Sequence, residues 1–433
     1  MQKVNTEQLF QLFLKNPSIT TDTRKINPGE IFFALKGANF NGNQYALSAL
    51  EAGAAYSVVD DPALPLNERL LWVEDVLLAL QQLAAHYRNK LNIPVIAITG
   101  SNGKTTTKEL VHSVLSKKYK TATTVGNLNN HIGIPLTLLR IPANSEIAVI
   151  EMGANHKLEI ESYCQYVKPT HGLITNCGKA HLEGFGGVLG VRKGKGELFD
   201  YLKANNGLVF ACSDFSYFHE MVAERKMSQI FWYGTNEEAA LCGTLKNTSP
   251  FLSLEIKNGL EDKVDINTSL VGDYNIYNVL AAVSIGIFFE VHPSEISEAI
   301  ANYQPDNSRS QLVEKDGNTI VLDAYNANPT SMAAAIKNFA NLPATNKVLM
   351  IGAMAELGEE SLEEHIAIVK LIDSFTWQKV VLVGGDFKNV KHNYTYFQDV
   401  HEAAAWWHAN KSTGLTILLK GSRSTAMEKL LNF

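Results

Sequence analysis

The chain has no run of about 18 apolar residues, so no membrane-spanning helix is expected. Cysteine is scarce. Cys164, Cys177, Cys212 and Cys242 are the only four in 433 residues, and none forms a C-x-x-C pair. A disulfide scaffold is thereby disfavoured, and a reducing, cytoplasmic setting is expected. The N-terminus, MQKVNTEQLFQLFLKN, lacks the apolar core and cleavage pattern of a signal peptide. There is no excess of positive charge: the formal net charge is -6, which argues against a general nucleic-acid binder. Low-complexity tracts and internal repeats are also missing. What remains is a soluble globular composition, 45% hydrophobic and 19% charged, in a chain too long for one core. Two or three domains are expected.

The most informative stretch is VIAITGSNGKTTT, residues 95 to 107. Val95 to Thr99 read as a buried parallel strand. Gly100 and Gly103 permit a tight turn whose N–H groups can address phosphate oxygens. Lys104 can reach the β- and γ-phosphates, and the Thr105 hydroxyl can bind Mg²⁺. Thr106 to Lys117 suit a helix whose N-terminus attracts anions. The general P-loop pattern asks for glycine at position 98, where this chain has Ile98, so the loop is a short variant.

Around this loop the chain alternates strands and helices, which predicts a mainly parallel α/β architecture. An N-terminal segment to Asn89 contains strands over Ile31–Leu35 and Ala54–Val59. Helices are expected over Tyr45–Ala52 and Val76–Tyr87. A central segment, 90–301, adds strands at Ile147–Glu151, Gly172–Asn176 and Gly207–Ala211. A third, 302–433, has strands at Thr319–Asp323, Lys347–Gly352, Val380–Gly384 and Thr416–Lys420 and reads as a smaller Rossmann-like unit. Ligands of such sheets bind at the carboxyl ends of the strands, and the polar motifs fall there.

Glu151 ends the strand in AVIEMG; by itself it reads more often as a solvated strand end, but beside the P-loop it is a candidate Mg²⁺ ligand. His181 lies in the glycine-rich TNCGKAHLEGFGG, where a metal can bind or the ring can be structural. Lys195, in KGKGE, reads on composition alone as a solvated helix charge. Asp323 ends a strand and opens LDAYNANPTSM, whose Tyr325, Asn326 and Asn328 suit a ligand-contact loop or a structural turn. Lys420 and Arg423, in LLKGSRS, can hold a carboxylate or phosphate.

Taken in order, TDTR, ALKG, TGSNGKTTTKE, GNLNNHIGIPLTLL, EMGANH, TNCGKAHLEGFGG, YNANP, MAELG and KGSRS resemble the Mur ligase family of amide-forming synthetases over essentially the whole chain. YNANP and MAELG favour the member that joins D-alanyl-D-alanine to UDP-N-acetylmuramoyl-tripeptide in peptidoglycan precursor synthesis. The resemblance implies three α/β domains: 1–89 for the UDP end of the substrate, 90–301 for ATP, and 302–433 closing on ATP and binding the dipeptide. It implies an ATP-dependent ligase working through an acyl phosphate. Asp22, Thr23 and Arg24 would contact the UDP substrate, and Asn129 and Asn130 the substrate more generally. Gly100, Ser101, Asn102, Gly103, Lys104, Thr105 and Thr106 would hold the nucleotide, with Asn278 near the adenine.

Two Mg²⁺ sites follow by resemblance, drawing on Thr105, Glu151, His181 and Lys195, the last of which is carbamylated by CO₂ in the family. Arg309 and Asp323 match residues that close on the nucleotide. Tyr325, Asn326, Asn328, Lys420 and Arg423 would meet the substrates. His156 is a weak candidate for the base. A cytoplasmic monomer with no nucleic-acid or membrane partner is expected. The chain departs from the family pattern at Tyr274-Asn275, at Asn41-Gly42-Asn43 and at Asp323-Ala324. A related ligase with another acceptor, or an ATPase switch, would share the P-loop.

Overall fold

The computed structural model describes residues 1–259, 264–306, 308–410 and 412–431. Its strands form three principal sheets, in chain order. The first is wholly parallel, in the order Gln2–Lys3, Leu70–Trp72, Tyr56–Val59, Ile31–Phe33, Ile19–Thr20. Both of its faces are covered, which explains the apolar runs of the inner strands Ile31–Phe33 and Leu70–Trp72. Ile31 and Phe33 point into the large core, while Phe32 and Ala34 point into a second, smaller one. This is the period of two that a strand imposes.

The helix Val76–Lys90, capped by Asp75, leads out of this sheet. Near its end the buried Arg88 donates to the carbonyls of Val167 (2.9 Å), Leu91 (2.6 Å), Ile93 (3.3 Å) and Lys168 (3.1 Å). The first unit is thereby riveted to the second through backbone acceptors.

The central sheet has nine strands. From one edge they run Val264–Asn267, Ser253–Asn258, Leu241–Asn247, Ile230–Gly234, Leu208–Cys212, His171–Ile174, Val95–Thr99, Ile147–Glu151 and Thr121–Thr123. The pairings from Leu241–Asn247 onward to Thr121–Thr123 are parallel, and the outer two are antiparallel. Val95–Thr99 is buried at every residue. The chain leaves it for Thr121–Thr123 and Ile147–Glu151 on one side and later returns to His171–Ile174 on the other. The carboxyl end of Val95–Thr99 is therefore a topological switch point, where open α/β sheets bind ligands.

The third sheet runs Gln311–Lys315, Asn318–Asp323, Thr416–Lys420, Lys347–Gly352, Lys379–Val383, Thr395–Phe397, parallel except for its first hairpin. Insertion of Thr416–Lys420 beside Asn318–Asp323 makes Asp323 and Lys420 register partners.

The expected helix over Thr106–Lys117 is instead Lys104–Leu115, because Gly103 takes the cap conformation and lets the helix start on the lysine. The expected strand Gly172–Asn176 is His171–Ile174; Thr175 and Asn176 leave the sheet to bond the phosphate loop.

Candidate active site

A cleft of about 920 Å³ opens at the carboxyl ends of the central strands and is lined by both the central and the C-terminal units. Its floor is the loop 100–103. Gly100 has φ +143° and Gly103 φ +81°. A Cβ on Gly100 would lie 2.0 Å from Thr175 Oγ1, and one on Gly103 2.4 Å from Asn278 Oδ1. Only glycine fits either position. Gly103 caps the Lys104–Leu115 helix with no side-chain acceptor, so the first amides remain available to an anion.

Neighbouring strand ends hold the loop in shape. Ser101 N–H donates to Asn176 O (2.9 Å) and Asn102 N–H to Asn176 Oδ1 (3.1 Å). Thr175 Oγ1 donates to Asn102 O at 2.6 Å. Among the described residues the Asn102 side-chain amide nitrogen, which is buried, has no partner. An unpaired donor there costs free energy unless a ligand accepts from it.

Lys104 Nζ curls over the loop, donating to Gly100 O (2.6 Å) and Ser101 O (3.2 Å). Burial pushes its pKa down. Glu151 pulls it up, and Arg309 pushes it down again. Thr105 and Thr106 are buried in the cleft lining beside it.

Glu151 is 1% exposed. Its Oε1 accepts from Asn129 Nδ2 at 2.6 Å, and its Oε2 is buried without a hydrogen bond among the described residues. Asn130 is engaged locally: its Oδ1 accepts from the amides of Ile132 and Gly133.

Lys195 is also 1% exposed, with Nζ 3.0 Å from Ala154 O and 4.9 Å from the centre of the Phe185 ring. Burial, helped by the Lys104 charge, lowers its pKa to about 7. A large fraction is then neutral amine at physiological pH. His181 holds a left-handed backbone, φ +52°, and its Nδ1 lies 2.5 Å from Glu356 Oε2. Among the described residues, no group of three or more His, Cys, Asp or Glu side chains forms a ready-made metal cage.

The C-terminal unit forms the roof. Asn328 caps the Pro329–Asn341 helix in a capping box with Ser331, and its Nδ2 donates to Asn102 Oδ1 at 2.7 Å. Thr330 Oγ1 accepts from Lys179 N–H (3.0 Å), and Lys179 pairs with the buried Glu364. Asp323 Oδ2 accepts from Lys420 Nζ at 2.6 Å, and Lys420 is 1% exposed. Lys420, read from sequence as free to hold an anion, already has one. Arg309, Tyr325, Asn326 and Arg423 also reach the cleft. The Asn326 carbonyl oxygen Oδ1 accepts from Ala327 N–H.

Asn278 links the two sides of the loop. Its Oδ1 accepts from Thr107 Oγ1 (3.0 Å), and its Nδ2 donates to Asn275 Oδ1 (2.8 Å).

Similarity to known proteins follows the same division. The Mur ligase family catalytic domain matches residues 17–88, the Mur ligase middle domain 98–286, and the Mur ligase glutamate ligase domain 308–423. The UDP-N-acetylmuramoyl-tripeptide–D-alanyl-D-alanine ligase of Bacillus subtilis is 34% identical over 430 residues, 95% of this chain and 92% of its own. The chain belongs to the Mur ligase family. The Escherichia coli enzyme of the same description is also 34% identical, over 96% of this Mur ligase and 92% of its own length. A crystal structure of MurF from Acinetobacter baumannii superposes with a TM-score of 0.88 at 28% identity, covering 100% of this chain and 98% of that one. MurF of Thermotoga maritima, solved with ADP, shares the fold at a TM-score of 0.85 and 24% identity, over 97% of each chain.

Not all the residues singled out from sequence converge. Asp22, Thr23 and Arg24 lie outside the cleft lining. Asp22 takes both Arg24 guanidinium contacts (2.8 and 2.7 Å), which hold its carboxyl down at about 2. At the Asn41-Gly42-Asn43 departure, Asn43 is buried and bonds Asp60 through both ends of its amide (2.7 and 3.1 Å). His156 is largely exposed, pairs with Glu159 at 3.5 Å, and does not line the cleft. Conversely, Phe215, Tyr217 and Tyr277 line it without having been anticipated. Phe215 stacks on Tyr217, with ring centres 5.4 Å apart, and tilts against Tyr277 at 5.0 Å. No local motif marks them; the starts of two helices, Ser216–Glu224 and Ile276–Phe288, bring them together.

Proposed function

We propose that this Mur ligase joins D-alanyl-D-alanine to UDP-N-acetylmuramoyl-tripeptide, with ATP cleaved to ADP and phosphate. The observation that carries the reading is the cleft itself: uncapped phosphate-loop amides, an unpartnered buried carboxylate oxygen and two guanidinium groups meet between two α/β units. The relatives supply the substrate class.

We divide the chain into a UDP-substrate domain at 1–89, an ATP domain at 90–301 and a closing domain at 302–433. The TDTR residues Asp22, Thr23 and Arg24 belong to the first. The acceptor carboxylate and the γ-phosphate repel each other, so Lys104 and Arg309 are assigned to neutralise both. Loop amides 100–103 and Asn278 position the nucleotide. Transfer of the γ-phosphoryl group to the terminal carboxylate of the tripeptide gives an acyl phosphate and ADP. The dipeptide amine then attacks the acyl carbon. The tetrahedral adduct collapses with loss of a proton from nitrogen and departure of phosphate, leaving the amide. Closure of the roof excludes water, which would otherwise hydrolyse the acyl phosphate.

The free Glu151 oxygen and the Thr105 hydroxyl are hard oxygen donors that fit Mg²⁺. His181 and a carbamylated Lys195 are assigned to a second ion. Bound Mg²⁺ would offset phosphate charge. The neutral amine of Lys195 can form an N–C bond to CO₂ with release of a proton, turning a buried cation into an anionic ligand. A monomer in a cytoplasmic setting is part of this reading.

The test is phosphate release from ATP with UDP-N-acetylmuramoyl-tripeptide, with and without D-alanyl-D-alanine. Release that requires both, with the amide found by mass spectrometry, is the expected result. Turnover indifferent to both substrates would overturn the ligase in favour of an ATPase switch. Turnover only with a different acceptor would replace the dipeptide.

A further inference from the structure

Two guanidinium groups of the C-terminal unit enter the cleft, and one ring holds both. Arg309 lies 3.5 Å and Arg423 5.1 Å from the centre of the Tyr325 ring, and all three residues line the cleft. Among the described residues neither arginine has an ion-pair partner. The remaining cation of this roof, Lys420, is fully engaged by Asp323. Stacking occupies the flat face of a guanidinium and leaves its in-plane N–H donors free to grip a carboxylate or phosphate in two-pronged fashion.

The two arginines are not equivalent. Arg309 precedes Ser310, whose hydroxyl lies 3.2 Å from Tyr274 Oη and 3.5 Å from Asn275 Nδ2, and Asn275 is joined through Asn278 to Thr107 behind the phosphate loop, which puts Arg309 at the phosphate end. Arg423 follows the Thr416–Lys420 strand and is exposed. The reaction proposed above brings three anionic groups to this cleft: the triphosphate, the terminal carboxylate of the tripeptide, and the free carboxylate at the far end of the acceptor dipeptide. The first two meet at the transferred phosphoryl group and are assigned to Lys104 and Arg309, which leaves the third. We propose that Arg423 binds the terminal carboxylate of the acceptor dipeptide, with Tyr325 as the positioning residue that stacks against its guanidinium. The pair then selects acceptors that end in a free carboxyl group. This rests on the proposed ligase activity.

The experiment is steady-state kinetics on the full chain with D-alanyl-D-alanine and with its C-terminal amide. Loss of a charge-assisted hydrogen bond should raise the dipeptide KM by about 10- to 100-fold in Arg423→Met, leaving the KM for ATP unchanged. The wild type should disfavour the amide by a comparable factor, and Arg423→Met should treat acid and amide alike. Tyr325→Leu removes the ring and should raise the dipeptide KM, and Tyr325→Phe, which restores the ring, should recover most of that loss. Arg423 is exposed, so its replacement leaves the fold intact. The inference is overturned if the wild type accepts the amide as readily as the acid, or if Arg423→Met raises the KM for ATP and not for the dipeptide. Failure of the wild type to use D-alanyl-D-alanine at all would instead overturn the ligase reading and this inference with it.

Discussion

Replacing Glu151 with glutamine should make the protein more stable and much less active. The side chain is 1% exposed, at the end of the Ile147–Glu151 strand, and its backbone amide is fixed by Thr124 Oγ1 at 2.9 Å. Oε1 has Asn129; Oε2 has nothing. Glutamine has the same shape and can still accept from Asn129, and its amide nitrogen puts a neutral unpaired group where an unpaired charged oxygen stood. An unsatisfied buried group costs about 1–3 kcal/mol, more when charged. Part of that gain is offset, because Glu151 also favours the charged form of Lys104. A net stabilisation of roughly 1 kcal/mol remains, which in a unit of this size is a rise in Tm of about 2–4 °C.

Activity should move the other way. Residues that merely orient a metal ligand cost about 10–100-fold in metal affinity when removed, so loss of a carboxylate ligand should lower turnover by about 100-fold or more at limiting Mg²⁺. Thermal unfolding without metal, paired with phosphate release across a Mg²⁺ titration, measures both. A variant with normal activity would refute the ligand role. A marked fall in Tm would show instead that Glu151 is a structural acceptor whose free oxygen has no ligand to meet.

Lys195→Ala should be almost inactive and partly restored by short carboxylates such as formate, which can occupy the place of a carbamate; full activity would refute carbamylation. Burial among Phe210, Phe288 and Phe289 holds the His171 imidazole down at about 4. The folded state therefore resists protonation, so stability is intact above about pH 6.5 and falls as pH drops toward 4. At pH 5 the loss is about 1–2 kcal/mol for this half-buried ring, and His171→Phe should flatten that decline in a Tm-versus-pH series. Lys179→Ala leaves the buried Glu364 without its partner across the cleft, so small-angle scattering should show a more open molecule, with a raised KM for ATP; an unchanged scattering profile would show that the ion pair does not hold the roof.

The strands that sequence placed correctly are those with a continuous apolar run and polar ends. Lys347–Gly352 and Thr416–Lys420 match residue for residue. The antiparallel extension of the central sheet was missed, although Ser253–Asn258 does alternate, with Leu254 and Ile256 inward and polar residues between. Its strands are short and polar enough to pass for loop, and what makes them strands is pairing with one another. The order of strands was not readable either, since neighbours such as Asn318–Asp323 and Thr416–Lys420 are separated by three intervening strands in sequence.

The site divides in the same way. Everything local to 95–107 was visible because a phosphate loop needs specific residues at fixed spacing: glycine at 103 because a Cβ would strike Asn278, a lysine and a threonine directly after it. What the roof does depends on contacts that spacing cannot encode. Asn328 reaches Asn102 across 226 residues, and no feature of YNANP identifies that partner. Lys420 and Arg423 looked interchangeable in KGSRS. The register of two strands sets them apart, since it delivers Asp323 to Lys420 and leaves Arg423 against the Tyr325 ring. A cation's role in this cleft follows less from its own identity than from whether the sheet has already supplied its counter-charge.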